Sequence, residues 1–246
     1  METVFMSKPF YFQLKGEYAL FTDPVSKGGG EKFTYQIPTY QALKGITENI
    51  YWKPTLIIYI DEVKVINKIQ TETKGIRTMT FSKSGDSQDR SYYTYLKDVE
   101  YLVKVHFEWN LKRDNLSYDR NEIKHQEIMV RSLKKGGRRD VFLGTRECLC
   151  YVSYITENEY IEAKSYYEAA GNVSYGNMFH SFVYPDEACD EQSYNKLSTN
   201  FHSIVMKNGV IPFVKPDECS ITNVIRDYDM KEFNQIKSAE EELKTT

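Results

Sequence analysis

The stretch from Glu100 to Trp109 constrains the fold most. Tyr101, Val103, Val105, Phe107 and Trp109 alternate with polar Lys104, His106 and Glu108. A side-chain period of two puts one set on each face of a strand and cannot line one side of a helix. The chain must therefore build a sheet with an apolar and a polar face, and must supply that sheet with neighbours. Phe10, Phe12 and Leu14, alternating with Tyr11, Gln13 and Lys15, read as a first strand that Gly16 interrupts. Leu56 to Ile60, then Val63 and Val65, read as a second, ending near Asn67. Arg146 to Ile155 reads as a further strand on which Cys148, Cys150, Val152 and Tyr154 share a face.

Two helical patterns separate these strands. Thr39 can cap a helix bearing Ala42, Leu43, Ile46 and Ile50, with Tyr51 at its C-terminal end and Pro54 closing the element. A second helix opens at Asp119, carries Ile123, Val130 and Leu133 on one side, and ends in Lys134, Lys135, Gly136 and Gly137. The order strand, helix, strand, strand, helix, strand predicts an α+β chain whose residues 1–157 form a ferredoxin-like (RRM-like) βαββαβ domain, an antiparallel sheet backed by two helices. Short strands at Met178 to Tyr184, Phe201 to Met206 and Val210 to Val214, with a hairpin turn at Asn208-Gly209, predict a small antiparallel β domain over residues 158–228. Residues 229–246 read as a charged tail. The polar stretch Thr71 to Arg90 reads as an exposed excursion or a flexible hairpin, and the segment around Gly28, Gly29 and Gly30 as a long connection with room for a short hairpin.

Several function classes drop out. The chain has no apolar run of membrane-spanning length, and METVFMSKPF lacks the plan of a signal peptide, so a cytoplasmic protein without a membrane partner is expected. Four cysteines in 246 residues do not make a disulfide framework. His106, His125, His180 and His202 show no Cys/His ligand spacing, so neither a metal nor another cofactor is expected.

Charge is unevenly spread. The net charge is −3, yet Arg131, Lys134, Lys135, Arg138, Arg139 and Arg146 fall in one short segment with Gly136 and Gly137. Glycines let a backbone approach a phosphate closely, and guanidinium groups bind phosphate by paired hydrogen bonds. A basic helix end followed by glycine is also ordinary capping, and both readings stand on these features. The same helix carries Lys124 beside His125, a fixed cation next to a group that titrates near neutrality. His106, on the polar face of its strand, is an alternative base.

Five segments taken together are distinctive: GEYALFTDP (16–24), IPTYQALKGITENIYWKP (37–54), YTYLKDVEY (93–101), DRNEIKH (119–125) and GGRRDVFLGTREC (136–148). In this order they resemble the CRISPR-associated endoribonuclease of subtype I-C (Dvulg type), a family-five Cas protein of the RAMP superfamily. The resemblance implies metal-independent cleavage of precursor CRISPR RNA within each repeat, near the hairpin base. It also implies that the protein then stays with other subunits of the type I-C interference complex and holds the 5′ handle of the guide. By motif it assigns cleavage to Tyr51, Lys124 and His125. Histidine then moves the proton of the attacking 2′-hydroxyl, lysine stabilises the developing charge, and tyrosine orients the hydroxyl or donates. Lys134, Lys135, Gly136, Gly137, Arg138, Arg139 and Arg146 are expected to bind the RNA. The rival expectation is a non-catalytic RNA- or DNA-binding subunit of the same complex, with duplex DNA as the other ligand.

Overall fold

A computed structural model describes residues 5–24, 26, 30–80, 87–187 and 195–229, with backbone alone at 78–80 and 87–89. The readings made at Gly28 and Gly29, and of the charged tail beyond Asp229, lie outside the described residues. The architecture is mixed α/β, dominated by an antiparallel sheet with few helices.

The alternating segment is the end of the longest strand, β5 (Ser87–Trp109). It is flanked by β1 (Phe10–Ala19) and β3 (Leu56–Val65), both antiparallel to it, and β1 is flanked by β6 (Tyr151–Ile155). The register stacks Phe12 against Val103, and Val103 against Val63, in one buried row. On that face lie α1 (Tyr40–Ile50), packed on β3, and α2 (Glu122–Lys134), packed on β6. Leu43, Ile46 and Ile50 of α1 and Met129 and Leu133 of α2 close the main core over Phe12, Leu14, Val105 and Phe107. On the opposite face a short helix, α3 (Glu157–Glu162), covers Tyr11 and Leu102 with Tyr160. Its N-terminus carries a capping box, with Thr156 and Glu159 bonding each other's backbone.

Three expectations change and one narrows. Gly16 does not interrupt β1, which runs through it. A Cβ there would lie 2.8 Å from Leu143 Cδ1 and 3.0 Å from Leu149 O, so glycine makes room for the loop that follows α2. The stretch from Thr71 to Arg90 takes the hairpin reading over its described residues, 71–80 and 87–90: β4 (Thr71–Thr80) runs antiparallel to the first half of β5, and β2 (Lys32–Phe33) lies beside β5 in parallel. Cys148 and Cys150 precede β6 rather than lying on it, and Cys148 is the buried one. Asp119 does not cap α2. Asn121 does, its side chain accepting from Lys124 N, and Asp119 ends a preceding 3-10 turn. The buried side of α2 is His125, Met129, Ser132 and Leu133, while Ile123 is 69% exposed.

The later strands extend the same sheet. β9 (Val210–Pro212) pairs with β3, β8 (Lys196–Lys207) joins β9, and β8 carries β7 (Asn172–Val183) and β10 (Ile221–Asp227) on its two sides. Asn208 and Gly209 join β8 to β9 with φ of 49° and 86°, the two positive values that a tight hairpin turn requires. Among the described residues no helix is long and apolar enough to cross a membrane.

Candidate active site

Placing α1 and α2 side by side brings the end of one to the start of the other. Tyr51 is the C-cap of α1, where the backbone turns extended (φ −155°, ψ 124°) while its N–H still donates to Thr47 O. His125 lies in the first turn of α2 on the side that faces the core. Its ring meets Phe107 and Trp109 of β5 edge-on, with centroids 6.3 and 5.6 Å away, and is 0% exposed.

The two side chains form one hydrogen-bonded unit. Tyr51 Oη lies 2.7 Å from His125 Nδ1, and His125 Nε2 lies 2.7 Å from the backbone oxygen of Asp119. A carbonyl can only accept, so Nε2 carries the imidazole proton and Nδ1 accepts from the Tyr51 hydroxyl. Burial in this aromatic box holds His125 below the ordinary histidine range, with Asp119 pulling the other way. Burial and the Asp119 carboxylate push Tyr51 up to about 12, against the pull of Arg138. The pair is therefore a neutral base with a protonated phenol in front of it.

Asp119 organises the surroundings. Its carboxylate engages Lys124 Nζ, accepts from Thr55 Oγ1 at 2.9 Å, and sits 3.6 Å from His125 Nε2. Although part burial opposes it, Lys124 and Thr55 hold the Asp119 carboxyl below the usual carboxylate range. Lys124 itself is exposed and turned to Asp119, outside the cleft described next.

A cleft of about 1200 Å³ opens between α1 and the loop from α2 to β6, lined among others by Glu48, Tyr51, Trp52, Arg138, Arg139 and Arg146. Gly136 and Gly137 make the turn at φ +80° and +107°, conformations that side chains resist. A Cβ on Gly137 would also press to 3.2 Å from Arg139 O. Asn49 Nδ2 donates to Asp140 O at 2.7 Å and ties the loop to α1. The Arg138 guanidinium lies 5.7 Å from the centre of the Tyr51 ring. The basic segment is thus divided: Arg138, Arg139 and Arg146 line the cleft, whereas Lys134 and Lys135 lie with Arg131 on the outer side of α2, Lys134 over the Tyr154 ring.

Sequence reasoning missed Glu48 and Trp52. Both flank Tyr51 closely in the chain, but nothing in their spacing says that they face an arginine loop ninety residues away. Burial pushes the Glu48 carboxyl up to about 7 against the pull of Lys44, whose Nζ is 3.8 Å away. A carboxyl that keeps its proton near neutrality can donate it. His106 lies elsewhere, on the opposite face of the sheet, with Nδ1 2.7 Å from Asp61 Oδ1. Among the described residues no group of three or more His, Cys, Asp or Glu side chains is placed to hold a metal ion.

Comparison with known proteins places this geometry in a family. The Cas5d family model, described as CRISPR-associated protein (Cas_Cas5), matches residues 11–214. A curated relative from Mannheimia succiniciproducens, named CRISPR pre-crRNA endoribonuclease Cas5d, is 27% identical over 227 residues, covering 84% of this chain and 95% of the relative. A crystal structure of a CRISPR-associated protein matches with a TM-score of 0.75 at 46% identity, over 89% of this chain and 98% of that one. A protein of Streptococcus mutans described as functionally uncharacterized matches with a TM-score of 0.74 at 45% identity, over 90% and 100% of the two chains. With a family model matched across most of its length, the chain belongs to the Cas5 family of CRISPR-associated proteins.

Proposed function

We propose that this protein is an endoribonuclease that cuts precursor CRISPR RNA within the repeat, near the base of its hairpin, without a metal ion, and then holds the 5′ handle of the product in the type I-C interference complex. The observation that carries the reading is the 2.7 Å contact between Tyr51 Oη and a neutral His125 at the wall of an arginine-lined cleft. The curated relative's name supplies the RNA class.

In this mechanism the substrate's 2′-oxygen forms a bond to the adjacent phosphorus and the bond to the 5′-oxygen breaks, leaving a 2′,3′-cyclic phosphate and a 5′-hydroxyl. The 2′-hydroxyl proton passes to Tyr51 Oη as the phenolic proton passes to His125 Nδ1. His125 reaches no solvent, so it acts through Tyr51 rather than on the RNA itself. The imidazolium formed is stabilised by Asp119, whose carbonyl already accepts from Nε2. Lys124 keeps Asp119 in place. Glu48 protonates the departing 5′-oxygen, and Arg138, Arg139 and Arg146 hold the phosphates, with Lys134 and Lys135 gripping the backbone farther along α2. Replacing Arg138 and Arg139 with Ala should flatten the salt dependence of repeat binding by about two in slope.

The strand order β6-β1-β5-β3 with both helices on one face supports a ferredoxin-like unit over residues 1–157. Residues 158–228 are then a β extension sewn to it through β9.

A second reading has an observation of its own. Tyr51 is only 1% exposed, which equally suits a structural hydrogen bond in a non-catalytic subunit that grips RNA, or duplex DNA. Incubating the protein with repeat RNA in excess EDTA decides between them. Cutting that survives chelation, yields a cyclic phosphate, and is lost on 2′-deoxy substitution at the cut and in Tyr51→Phe supports the enzyme. Tight binding with no cutting by the folded wild type supports the subunit.

A further inference from the structure

The cleft offers one aromatic face to solvent. Trp52 is 45% exposed, although a tryptophan is the side chain with most to gain from burial. The chain's other tryptophan, Trp109, is stacked on Phe5 at 4.5 Å between centroids, whereas no described ring pairs with Trp52. Tyr51 cannot serve as a stacking platform, because its ring is buried and lies under Arg138. Phe142, the third aromatic of the cleft, is half-buried at its other wall. Trp52 follows the proposed catalytic tyrosine directly and shares its cleft with three arginines. A large exposed π-face beside phosphate-binding cations is the pattern that holds an unstacked base. A base inside a duplex has both faces covered by its neighbours and cannot use it.

We infer that Trp52 stacks on the base of an unpaired nucleotide next to the scissile phosphate, so that the site selects RNA with a single-stranded nucleotide at the cut. This rests on the proposed ribonuclease function and adds the form of RNA the site takes. Stacking fixes the sugar beside Tyr51 and presents its 2′-hydroxyl to the Tyr51–His125 pair. No bond is made or broken by Trp52 itself.

The test combines Trp52→Ala and Trp52→Phe with repeat RNAs in which one abasic nucleotide is moved through the positions flanking the cut. Trp52→Ala should lower kcat/KM by roughly 10- to 100-fold and Trp52→Phe by far less. One abasic position should cost the wild type a similar factor and cost Trp52→Ala nothing further. Wild-type kcat/KM in Trp52→Ala, or losses that multiply at every position, would overturn the inference. If the wild type cuts no RNA, the function reading fails instead, and tryptophan fluorescence still decides this point. Binding of the 2′-deoxy repeat should quench the wild type strongly and Trp52→Phe, which retains Trp109, weakly. Equal quenching in both would refute stacking.

Discussion

Two buried histidines, each beside an aspartate, end in opposite charge states. His125 presents its nitrogens to a phenol and a backbone carbonyl, with the Asp119 carboxylate at 3.6 Å, and burial keeps it neutral. His106 has Asp61 Oδ1 at 2.7 Å from one nitrogen and Glu108 Oε1 at 3.5 Å from the other. Burial opposes its charge, but the two carboxylates push it up to about 9. Lys215 completes this second cluster at 2.7 Å from Glu108 and ties the segment after β9 to the sheet. Which group reaches the ring nitrogens, not the presence of an acid nearby, decides whether a histidine is a base or a structural cation.

The largest expected effect lies at the neutral histidine. Tyr51→Phe removes one hydroxyl with little change of packing and should cut the cleavage rate by about 10²–10⁴ in single-turnover assays. His106→Gln should leave that rate near wild type; equal losses in both variants would erase the distinction drawn here.

His106→Gln should act on stability instead. A group raised from 6.5 to about 9 stabilises the fold fully below pH 6.5, and that contribution is lost as pH rises towards 9. It is of order 3 kcal/mol. Urea melts of the wild type at pH 6 and pH 9 should differ accordingly, and the difference should shrink in His106→Gln. His125 has the opposite sign: its pKa is depressed on folding, so its contribution is present above the ordinary histidine pKa and is lost as pH falls below it. Cleavage should likewise fall on the acid side, with a midpoint below 6.5.

Glu48→Gln should act on the other limb. If Glu48 is the acid, the wild-type rate falls as pH rises through about 7, and the variant is slower and flat there. The smallest effect belongs to Lys124→Ala. Lys124 disfavours the imidazolium, so its removal should move the acid limb towards higher pH; an unmoved limb with a large loss of rate would give Lys124 a direct role at the phosphate.

The strands β1, β3 and β5 and the helices α1 and α2 were legible because alternation and helical spacing are local properties of the chain. Gly16 misled because its space is needed by Leu143 and Leu149, far away in sequence. Asp119 looked like a cap because a carboxylate before a helix suits that role, yet Asn121 took it and left Asp119 to Lys124, Thr55 and His125. The resemblance named Tyr51, Lys124 and His125 but could not order them.

The sequence by itself determined that an antiparallel sheet with helices on one face would form, and that cations would gather after α2. Only the tertiary structure decided that the arginines enter the cleft while Lys134 and Lys135 do not, that His125 lies wholly behind Tyr51, and that Trp52 is left bare. Those outcomes depend on which side chains meet across β5, α1 and a loop separated by tens of residues, and on the water excluded where they meet, neither of which is a property of any one segment.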